Sequence, residues 1–499
     1  MSSSIVRSRH LIAGVAGGSV TEIPEGAVYQ RDGVIVEVGA YRDLRARHPH
    51  EPVIGTGRQL LIPGLVNAHH HLGLTPVQLG VPDLPLELWN VARMVARPVD
   101  PYLDTLVSAF EMIASGVTSV QHLQAWLPGT PEQVETHLRS VLRAYDHVGM
   151  RVSFAQSVRD QNLLSFVPDR TLLAEFPSAV RARAARHLDR YRTSAENGLG
   201  LFRQLHAENL TSKRIRLQLA PTNLHWCSDG LLEQLGELAE SLDVPMHMHL
   251  LETPLQREYA RRRTENGAVA HLRDLGLLTS RMTLGHAVWL DDAELDAVAL
   301  ANAKICHNCS SNLRLRSGTA RLHAILHRGI TTAIGIDEAG LHDDRDMLTE
   351  IRLVLRVHRS PGLDETEVPT PAQVFRMATE HGAATTPWQG SIGVLAPGMR
   401  ADLVLIDWEQ VTGPFLDDLT APLDALVLRT KPEAVAMTMC DGEVVYRNGV
   451  FTRVDQAAAL EELRASFVDS VSDEVAERRA LAEAMMPLLR RFYENYLPN

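Results

Sequence analysis

The chain has 499 residues, enough for about three domains at roughly 150 residues each, or for one large α/β domain with a smaller companion. Its hydrophobic content of 45% and charged content of 22% are those of a globular protein with a large core, which excludes a disordered, collagen-like or disulfide-scaffold chain. Asp and Glu outnumber Lys and Arg by 61 to 49, so the formal net charge is −12 and the basic footprint of a nucleic-acid binder is missing.

Signals of export or membrane insertion are also missing from the sequence. The N-terminus has no apolar signal segment, and no run of roughly 18 apolar residues occurs, so we expect no membrane association. The four cysteines, Cys227, Cys306, Cys309 and Cys440, are too few to cross-link a chain of this length, which fits a reducing compartment. We therefore predict a cytoplasmic protein that acts on a small molecule. The count that stands out is that of the histidines, 22.

The middle of the chain alternates short runs rich in Val, Ile and Leu with longer segments of helical period, a pattern typical of βα units and a parallel sheet. Eight runs predict strands, at Gly64–His71, Gly116–His122, Arg151–Val158, Ile215–Pro221, Pro245–His249, Met282–Ala287, Ala303–Cys309 and Thr331–Asp337. Helices are predicted between them, among others at Pro131–Val148, Asp229–Leu242, Asp291–Ala301 and Asp343–Val357. The prediction is an α/β fold, a (β/α)8 TIM-type barrel over residues 64–389, with its active site at the C-terminal ends of the strands.

Both ends of the chain have the alternation of antiparallel β-structure. Residues 26–39 alternate around Asp32-Gly33, and further strands are predicted at Asp402–Asp407, Ala434–Cys440 and Glu443–Tyr446, with turns at Asp441-Gly442 and Asn448-Gly449. We predict one small β-sandwich, built from residues 1–63 and 390–454, into which the barrel is inserted. Residues 455–499 are predicted to be a helical segment, capped by Asp455 and interrupted or kinked at Pro487.

The first motif that indicates chemistry lies at the end of the first predicted strand, in the segment Pro63-Gly64-Leu65-Val66-Asn67-Ala68-His69-His70-His71. Residues i and i+2 of a strand point to the same face, so His69 and His71 can converge on one ion while His70 points away. Three neighbouring histidines also occur in exposed polar loops, and this segment alone does not decide between a pair of metal ligands and such a loop.

Three further strand ends carry polar side chains. His249 offers a third nitrogen, and Glu252 follows in the loop, where its carboxylate can reach a metal-bound water without being a ligand. His286 ends the sixth predicted strand and Asp337 ends the eighth. Each of these residues alone is typical of a hydrogen-bonding strand end, but all belong to one face of the same predicted barrel. The joint pattern favours a metal site.

With these residues in place, the sequence resembles the amidohydrolase superfamily. Within it, the chain is similar to the mononuclear-metal aminohydrolases, which include cytosine, guanine, 8-oxoguanine and S-adenosylhomocysteine deaminases and the s-triazine hydrolases. The resemblance covers nearly the whole chain. It rests on the motifs Pro63 to His71, His249-x-x-Glu252, Gly285-His286 and Asp337, supported by His307-Asn308, Ser311-Asn312-Leu313-Arg314 and the segment Gly393 to Leu403.

The resemblance implies a set of site residues. The metal ligands are then His69, His71, His249 and Asp337, and the catalytic residues are Glu252, His286 and Asp337. Binuclear members carry a carboxylated lysine at the end of strand four, whereas that strand here reads Ile215-Arg-Leu-Gln-Leu-Ala-Pro221, so one divalent metal is expected. Zinc fits three imidazoles and a carboxylate best, and Fe²⁺, Co²⁺ or Mn²⁺ is also compatible.

A divalent ion in this setting lowers the pKa of a bound water toward about 7. The expected function is a metal-dependent hydrolase that deaminates an amino-substituted N-heterocycle through metal-bound hydroxide. Asp337 and Glu252 would manage the proton of the water, with Glu252 passing it to a ring or leaving nitrogen. His286 would hold the hydroxide or the developing oxyanion.

Two other functions stay open at this point. A hydrolase that cleaves the C–N bond of an amide, urea or carbamate needs the same residues, so the sequence does not separate it from a deaminase. A non-catalytic barrel kept as a binding or scaffold protein would show the loss of a ligand, and none is lost. Dimers or larger assemblies are common among the proteins that this chain resembles, so a homo-oligomer is a further expectation.

Candidate substrate contacts lie near the predicted strand ends, and they are Trp89, Gln121, His122, Asn223, His225 and His307. A flat heterocycle can stack on a tryptophan and hydrogen-bond to the polar set. Two departures from the family pattern occur nearby. Cys309 stands where a proline commonly follows His-Asn, and Glu338 stands beside Asp337 in place of a small residue. The extra carboxylate of Glu338 is expected to alter substrate choice.

Overall fold

The computed structural model describes residues 3–71, 73–191, 194–468 and 471–498. The predicted segments above also include residues 1, 2, 72, 192, 193, 469, 470 and 499, which lie outside the described residues. The N-terminal part contains one helix, α1 (Tyr41–Arg47), and seven strands: β1 (Ser3–Arg7), β2 (His10–Ala16), β3 (Ser19–Pro24), β4 (Gly26–Arg31), β5 (Val34–Ala40), β6 (Val53–Ile54) and β7 (Gln59–Pro63).

The central part alternates strands and helices, as predicted. Its strands are β8 (Leu65–His70), β9 (Val117–Gln124), β10 (Arg151–Val158), β11 (Ile215–Leu217), β12 (Ala220–Pro221), β13 (Met246–Leu250), β14 (Met282–His286), β15 (Lys304–His307) and β16 (Thr332–Ile334). Its helices are α2 (Leu86–Ala92), α3 (Pro101–Ala114), α4 (Pro131–Val148), α5 (Asp169–Ala174), α6 (Ser178–Asp189), α7 (Ala195–Glu208), α8 (Asp229–Leu242), α9 (Pro254–Arg263), α10 (Ala268–Asp274), α11 (Asp292–Leu300), α12 (Cys309–Arg314), α13 (Leu322–His327), α14 (Met347–Val357), α15 (Pro371–Met377) and α16 (Glu380–Ala384).

The C-terminal part returns to β-structure and ends in helices. Its strands are β17 (Leu403–Asp407), β18 (Val435–Cys440), β19 (Glu443–Arg447) and β20 (Val450–Phe451). Its helices are α17 (Trp408–Thr412), α18 (Pro422–Arg429), α19 (Gln456–Ala465) and α20 (Asp473–Glu494). None of the helices in the described part of the chain is long and apolar enough to cross a bilayer.

The central strands pair in parallel in two sheets, with the orders β11-β10-β9-β8 and β13-β14-β15-β16. Bridges join the sheets at both edges, Leu219 to Met246 on one side and His70 to Asp337 on the other. The parallel strands therefore follow one another around a ring, and the predicted α/β class is confirmed. The fourth predicted strand is split into β11 and β12, because the pairing with β10 is interrupted between Leu217 and Ala220.

Strands from both chain ends pair with one another in the terminal sheets. A seven-stranded sheet has the order β20-β19-β18-β17-β7-β2-β3, so β17 lies antiparallel to β7, and β5-β4-β1-β6 form a second sheet. Side chains of both sheets meet in one apolar cluster that includes Val6, Val28, Leu61, Leu405 and Met439. The three predicted turns all have left-handed backbone at both central residues, with φ of 52° and 80° at Asp32-Gly33, 56° and 78° at Asp441-Gly442, and 48° and 85° at Asn448-Gly449.

The C-terminal helical segment is not interrupted at Pro487, so that alternative of the prediction is wrong, and a kink at Pro487 stays a prediction. Asp455 caps α19 as expected, but the break falls between α19 and α20, and α20 runs through Pro487. Proline removes one backbone hydrogen bond from a helix, yet α20 buries Leu481, Met485 and Leu489 in an apolar cluster with residues of α2 and α6. This packing outweighs the lost hydrogen bond and draws α20 onto the central part.

A buried ion pair ties the ring of strands to the terminal sheets. Arg151 begins β10, and its Nε and Nη2 both donate to the carboxylate of Asp402 at 3.0 Å, just before β17. Both side chains are shielded from water, with exposures of 0% and 2%. A bidentate contact of this kind fixes the relative position of the two strands.

We expect Asp402→Asn to lower the apparent free energy of unfolding by about 1.5–3 kcal/mol, because it removes the bidentate carboxylate from the buried Arg151 and leaves only Asp441 Oδ1, at 3.5 Å, to balance its charge. Denaturant unfolding followed by circular dichroism measures the loss. Glu208→Gln is the control, since it removes the partner of Arg139 in an exposed pair and should cost at most about 1 kcal/mol. Equal effects of the two substitutions would contradict the structural role of the buried pair.

Candidate active site

The side chains predicted to form the site come together at the C-terminal ends of the strands. His69 lies within β8 and His71 directly follows it, His249 lies in β13, and His286 ends β14. Asp337 follows β16 and reaches the same place. All except the half-buried His249 are buried. The structure thus gathers residues that are up to 268 positions apart in the sequence.

Four of these side chains point their ligand atoms at one another. The Nε2 of His71 lies 2.9 Å from Nε2 of His69 and 3.2 Å from Nε2 of His249. Asp337 Oδ1 lies 3.1 Å from Nε2 of His71 and 3.6 Å from Nε2 of His69. His286 borders the same place, with its Nε2 3.8 Å from Asp337 Oδ2.

Hydrogen bonds made by the Nδ1 atoms of two histidines determine that their Nε2 atoms face the middle of the cluster. Nδ1 of His71 lies 2.6 Å from the carbonyl of Leu123, and Nδ1 of His249 lies 2.9 Å from the carbonyl of Thr222. Since a carbonyl only accepts, both Nδ1 atoms carry a proton, so in the neutral form of each ring the Nε2 atom presents a lone pair. Two facing lone pairs at 3.2 Å repel unless a cation lies between them. Together with the Asp337 carboxylate, this donor set fits a divalent metal, whose bonds to imidazole are about 2.0–2.1 Å.

The protonation states follow from burial and from the Asp337 carboxylate. Burial, with the charge of His71, lowers the pKa of His249 to about 3. Burial acts in the same direction on His71, but the hydrogen bond and charge of Asp337 outweigh it and raise the pKa of His71 to about 9. The same contact with His71 lowers the pKa of Asp337 against the effect of burial. A metal therefore competes with a proton that His71 and Asp337 share.

Glu252 and His286 form a second pair beside this cluster. Glu252 Oε1 lies 3.7 Å from Nδ1 of His286 and accepts from Ser317 Oγ at 3.3 Å. Burial, then the charges of Asp337 and Glu87, raise the pKa of Glu252 well above its ordinary value. A buried carboxyl with a raised pKa keeps its proton to higher pH than an exposed one, which suits it to donate that proton.

His286 and Asp337 are held in unusual backbone conformations. Their φ angles are 65° and 67°, in the left-handed region that side chains other than glycine seldom adopt, and such residues cluster at functional sites. The ring of His286 is fixed from both sides, because Nδ1 lies 2.9 Å from Asn312 Oδ1 and Nε2 lies 3.1 Å from Asn308 Nδ2.

A cavity of about 310 Å³ opens over the cluster. Its floor includes His71, His249, Glu252, His286 and Asp337. Its walls combine aromatic, apolar and charged side chains, among them Trp89, Arg93, Trp126, Arg159, Trp226, Glu338 and Arg478. Pockets of this size hold ligands as large as small drug molecules.

The predicted substrate contacts are only partly brought to this cavity. Trp89 and Asn223 line it. The other four do not line it, because each is buried with a different partner or neighbour, so their contact with substrate stays a prediction that this cavity does not support. Gln121 hydrogen-bonds to His247, His122 to Tyr145 and His307 to His358, while His225 packs against Phe166 and Trp226.

Sequence reasoning missed two contributions to the site. His247 lies beneath it, with Nε2 2.8 Å from Nδ1 of His69 and Nδ1 3.0 Å from Gln121 Oε1. Because the amide oxygen accepts, His247 accepts in turn from His69, which leaves the Nε2 lone pair of His69 for the centre. The alternation of His247 and His249 in one strand was the available signal. Arg478, from α20, gave no signal, since only tertiary packing brings it to the cavity wall.

The amidohydrolase family profile matches residues 60–445. A 5-methylthioadenosine/S-adenosylhomocysteine deaminase of Nitratidesulfovibrio vulgaris (strain Miyazaki F) is 32% identical over 451 residues, covering 89% of this chain and 92% of the relative. A 5′-deoxyadenosine deaminase of Methanothermobacter thermautotrophicus is 28% identical, covering 89% and 94%.

Solved structures share the fold at lower identity. An adenosine deaminase from Xanthomonas campestris with bound zinc has a TM-score of 0.77 at 22% identity, covering 95% of this chain and 98% of that one. A mutant atrazine chlorohydrolase from Arthrobacter aurescens, complexed with zinc and atraton, has a TM-score of 0.79 at 20% identity, covering 92% and 99%.

The chain belongs to the amidohydrolase family. It is a hydrolytic enzyme that acts on C–N bonds with a divalent metal, and the expected deamination of an amino-substituted N-heterocycle is confirmed.

We expect His71→Ala to reduce metal affinity by at least about 100-fold, since loss of partners one shell further out already costs roughly 10–100-fold. Competition with a chelator, followed by elemental analysis, measures the affinity. His70→Gln is the matched control, because His70 points away from the cluster toward Ser108. A His71→Ala protein that keeps one metal per chain at unchanged affinity would show that the centre lies elsewhere.

Proposed function

We propose that the protein removes the 6-amino group of an adenine nucleoside that is modified at its 5′ position. The observation that carries the proposal is the convergence of His69, His71, His249 and Asp337 beneath a cavity of about 310 Å³, with the buried carboxyl of Glu252, whose pKa is raised, beside them. Relatives that span most of the chain are named as deaminases of 5-methylthioadenosine, S-adenosylhomocysteine and 5′-deoxyadenosine, which favours this substrate class.

The proposed architecture is a (β/α)8 barrel over residues 64–389, carried on a β-sandwich made from residues 1–63 and 390–454, with residues 455–499 as the helical segment. The ring of parallel strands supports the barrel. The apolar cluster shared by the two terminal sheets supports the sandwich. The packing of α20 on α2 and α6 makes the helical segment part of the wall above the barrel.

The proposed ligands of a single zinc ion are His69, His71, His249 and Asp337. Their three nitrogen lone pairs and one carboxylate match the preference of zinc, and solved relatives of the same fold hold zinc. When bound, a divalent metal lowers the pKa of water and so supplies a nucleophile at neutral pH.

Glu252 is proposed to move protons between water and substrate. Its buried carboxyl holds a proton, which it donates to the ring nitrogen beside the amino-bearing carbon. Asp337 accepts the proton of the attacking water. Asp337 then passes this proton to the amino nitrogen, because an unprotonated amine leaves poorly. As the C–N bond breaks and ammonia leaves, the Glu252 carboxylate takes back a proton from the new hydroxyl group.

His286 is proposed to orient the attacking water. With the Nδ1 proton donated to Asn312 Oδ1, the Nε2 atom of His286 is an acceptor that faces Asp337. It accepts from Asn308 Nδ2 at 3.1 Å, a hydrogen bond that one from the attacking water would replace. Burial lowers the pKa of His286, so the ring stays neutral and keeps this acceptor at neutral pH. The left-handed backbone and the two asparagine contacts hold the ring in position.

We expect Glu252→Gln to lower kcat by about 10²–10⁴-fold while metal content stays unchanged, because the amide keeps the shape of the side chain but cannot transfer a proton. Steady-state kinetics with parallel elemental analysis measures both. Glu265→Gln, an exposed carboxylate beyond α9, is the control. Retention of full activity by Glu252→Gln would remove this residue from the mechanism.

A substrate panel tests the proposed function directly. Adenosine, 5′-deoxyadenosine, 5′-methylthioadenosine and S-adenosylhomocysteine should lose ammonia, with the spectral shift of adenine to hypoxanthine, while cytosine, guanine and triazines should react much more slowly. Aryl amides and ureas are included as negative substrates. Turnover of the amides, or of a triazine in preference to every adenine nucleoside, would refute the assignment.

A further inference from the structure

A second cluster of metal-ligating side chains lies between β15 and α14, outside the candidate active site. His307 ends β15, Cys309 begins α12, and His358 directly follows α14. One ring nitrogen of each histidine and the Sγ of Cys309 all lie within 4.8 Å of one another. The two histidines are 51 positions apart in the sequence, so the fold and not a local motif brings the three side chains together.

The side chains of this second cluster are separate from those of the active site. Asn308, which lies between His307 and Cys309, turns toward the active site, where its Nδ2 lies 3.1 Å from Nε2 of His286. His307 and Cys309 instead come together with His358. None of these three residues lines the cavity over the catalytic residues. A metal held by them would therefore not contact the substrate.

The two histidines of the cluster present ring nitrogens to each other. Nε2 of His307 lies 2.9 Å from Nε2 of His358. Burial lowers the pKa of His358 to about 4 and holds that of His307 well below its ordinary value, so both rings are neutral near pH 7. A neutral imidazole keeps one lone pair on a ring nitrogen. The facing nitrogens can thus share one proton or bind one cation, and the adjacent sulfur of Cys309 favours the cation.

Zinc suits this set of donors. Its bonds of about 2.0–2.1 Å to imidazole and about 2.3 Å to thiolate place tetrahedral ligand atoms roughly 3.3–3.6 Å apart. Three atoms within 4.8 Å of one another reach that spacing through small movements of their side chains. The three residues are 1%, 2% and 6% exposed, which is typical of an ion that serves structure.

Charge near the cluster also favours a cation. Burial, then the charge of Glu350 in α14, raises the pKa of the Cys309 thiol. Binding of Zn²⁺ releases the thiol proton to solvent and forms a bond from the ion to the Cys309 thiolate. The thiolate and the Glu350 carboxylate then carry two negative charges beside the two positive charges of the ion.

We propose that His307, Cys309 and His358 form a second zinc site, separate from the catalytic metal centre, that holds α12 against α14. The proposal gives a role to Cys309, which stands where the family commonly has a proline without a ligand atom. It does not rest on the proposed function.

The segment that the second zinc would hold supports the active site. Asn308 and Asn312 contact the ring of His286, and Ser311 Oγ donates to Asp337 Oδ2 at 2.5 Å. On its other side, the segment is already joined to α14, because the N–H of Ser310 donates to Glu350 Oε1 at 3.0 Å. A zinc ion bound by Cys309 and His358 would add a second link between the same two helices.

Counting zinc tests the site. After reconstitution with zinc and gel filtration, elemental analysis should find one ion fewer per chain in Cys309→Ala and in His358→Ala than in the unmodified protein. Cys440→Ala is the matched control, because Cys440 is also buried but its Sγ donates to the carbonyl of Thr118 at 3.8 Å. An unchanged count in Cys309→Ala and His358→Ala would mean that the two histidines share a proton instead, and it would overturn the proposal.

Cobalt substitution tests the sulfur ligand in the unmodified protein, so the result does not depend on how well a variant folds. Co²⁺ accepts the same ligands as zinc, and its bond to a thiolate gives a near-ultraviolet charge-transfer band that imidazole and carboxylate ligands do not give. We expect this band in the unmodified protein and in Cys440→Ala, and its loss in Cys309→Ala. Absence of the band from the unmodified protein, or its survival in Cys309→Ala, would overturn the proposal.

Thermal unfolding in a His71→Ala background isolates the second site from the catalytic one. Zinc should raise the Tm of this variant by about 2 °C or more, and excess chelator should remove the rise, because an ion that binds only the folded state stabilises it. Adding Cys309→Ala to the same background should abolish the shift. A Tm that ignores zinc in His71→Ala, or a shift that persists without Cys309, would refute a zinc ion that holds α12 against α14. Loss of deaminase activity in His71→Ala bears only on the proposed function.

Discussion

The active site depends on the closure of the ring between its first and last strands. The backbone N–H of Asp337 donates to the carbonyl of His69 at 2.8 Å, and the N–H of Ile336 donates to Asn67 Oδ1 at 3.1 Å. This closure brings a carboxylate against two histidines that belong to the other edge of the ring. It also requires Gly335, because a Cβ there would lie 2.4 Å from Asn308 Oδ1 and 2.5 Å from the Cβ of His69. The proposed ligands can come together only where these backbones approach so closely.

The sequence predicts much of this arrangement because the spacing of apolar residues and the polar residues that end a strand can both be read from a short stretch of sequence. The eight apolar runs coincide with observed strands, and α4 and α8 begin and end at the predicted residues. The i, i+2 rule at His69 and His71, with the rule that parallel strands end at one face, predicts a cluster of candidate ligands, and the full proposed set is what the family resemblance implies. The three Asp-Gly and Asn-Gly turns follow from the left-handed backbone that these residues tolerate.

The sequence does not predict how far a side chain near a strand end lies from the cavity, nor which distant segments of the chain pack against each other. Gln121 points into the ring but lies a layer below the cavity, where Gln218 and His247 share its amide oxygen. His122 points the other way, toward Tyr145 of α4. Both are polar residues near a strand end, and only the packed structure separates them from residues that line the cavity. The wall supplied by α20 is a tertiary contact that the local pattern around Pro487 does not reveal.

The seven-stranded terminal sheet joins strands from the two ends of the chain, which the ribosome makes early and late in translation. Leu403 pairs with Pro63 and Asp407 with Gln59. The whole ring of parallel strands is therefore synthesised between β7 and its partner β17. Pairings of such long sequence separation form slowly, because a large loop must close first. During translation, β7 is an open edge without its final neighbour on that side until the ribosome has passed residue 407. The inserted ring is therefore synthesised before its platform is complete, and the Arg151–Asp402 pair forms only after residue 402 has been made.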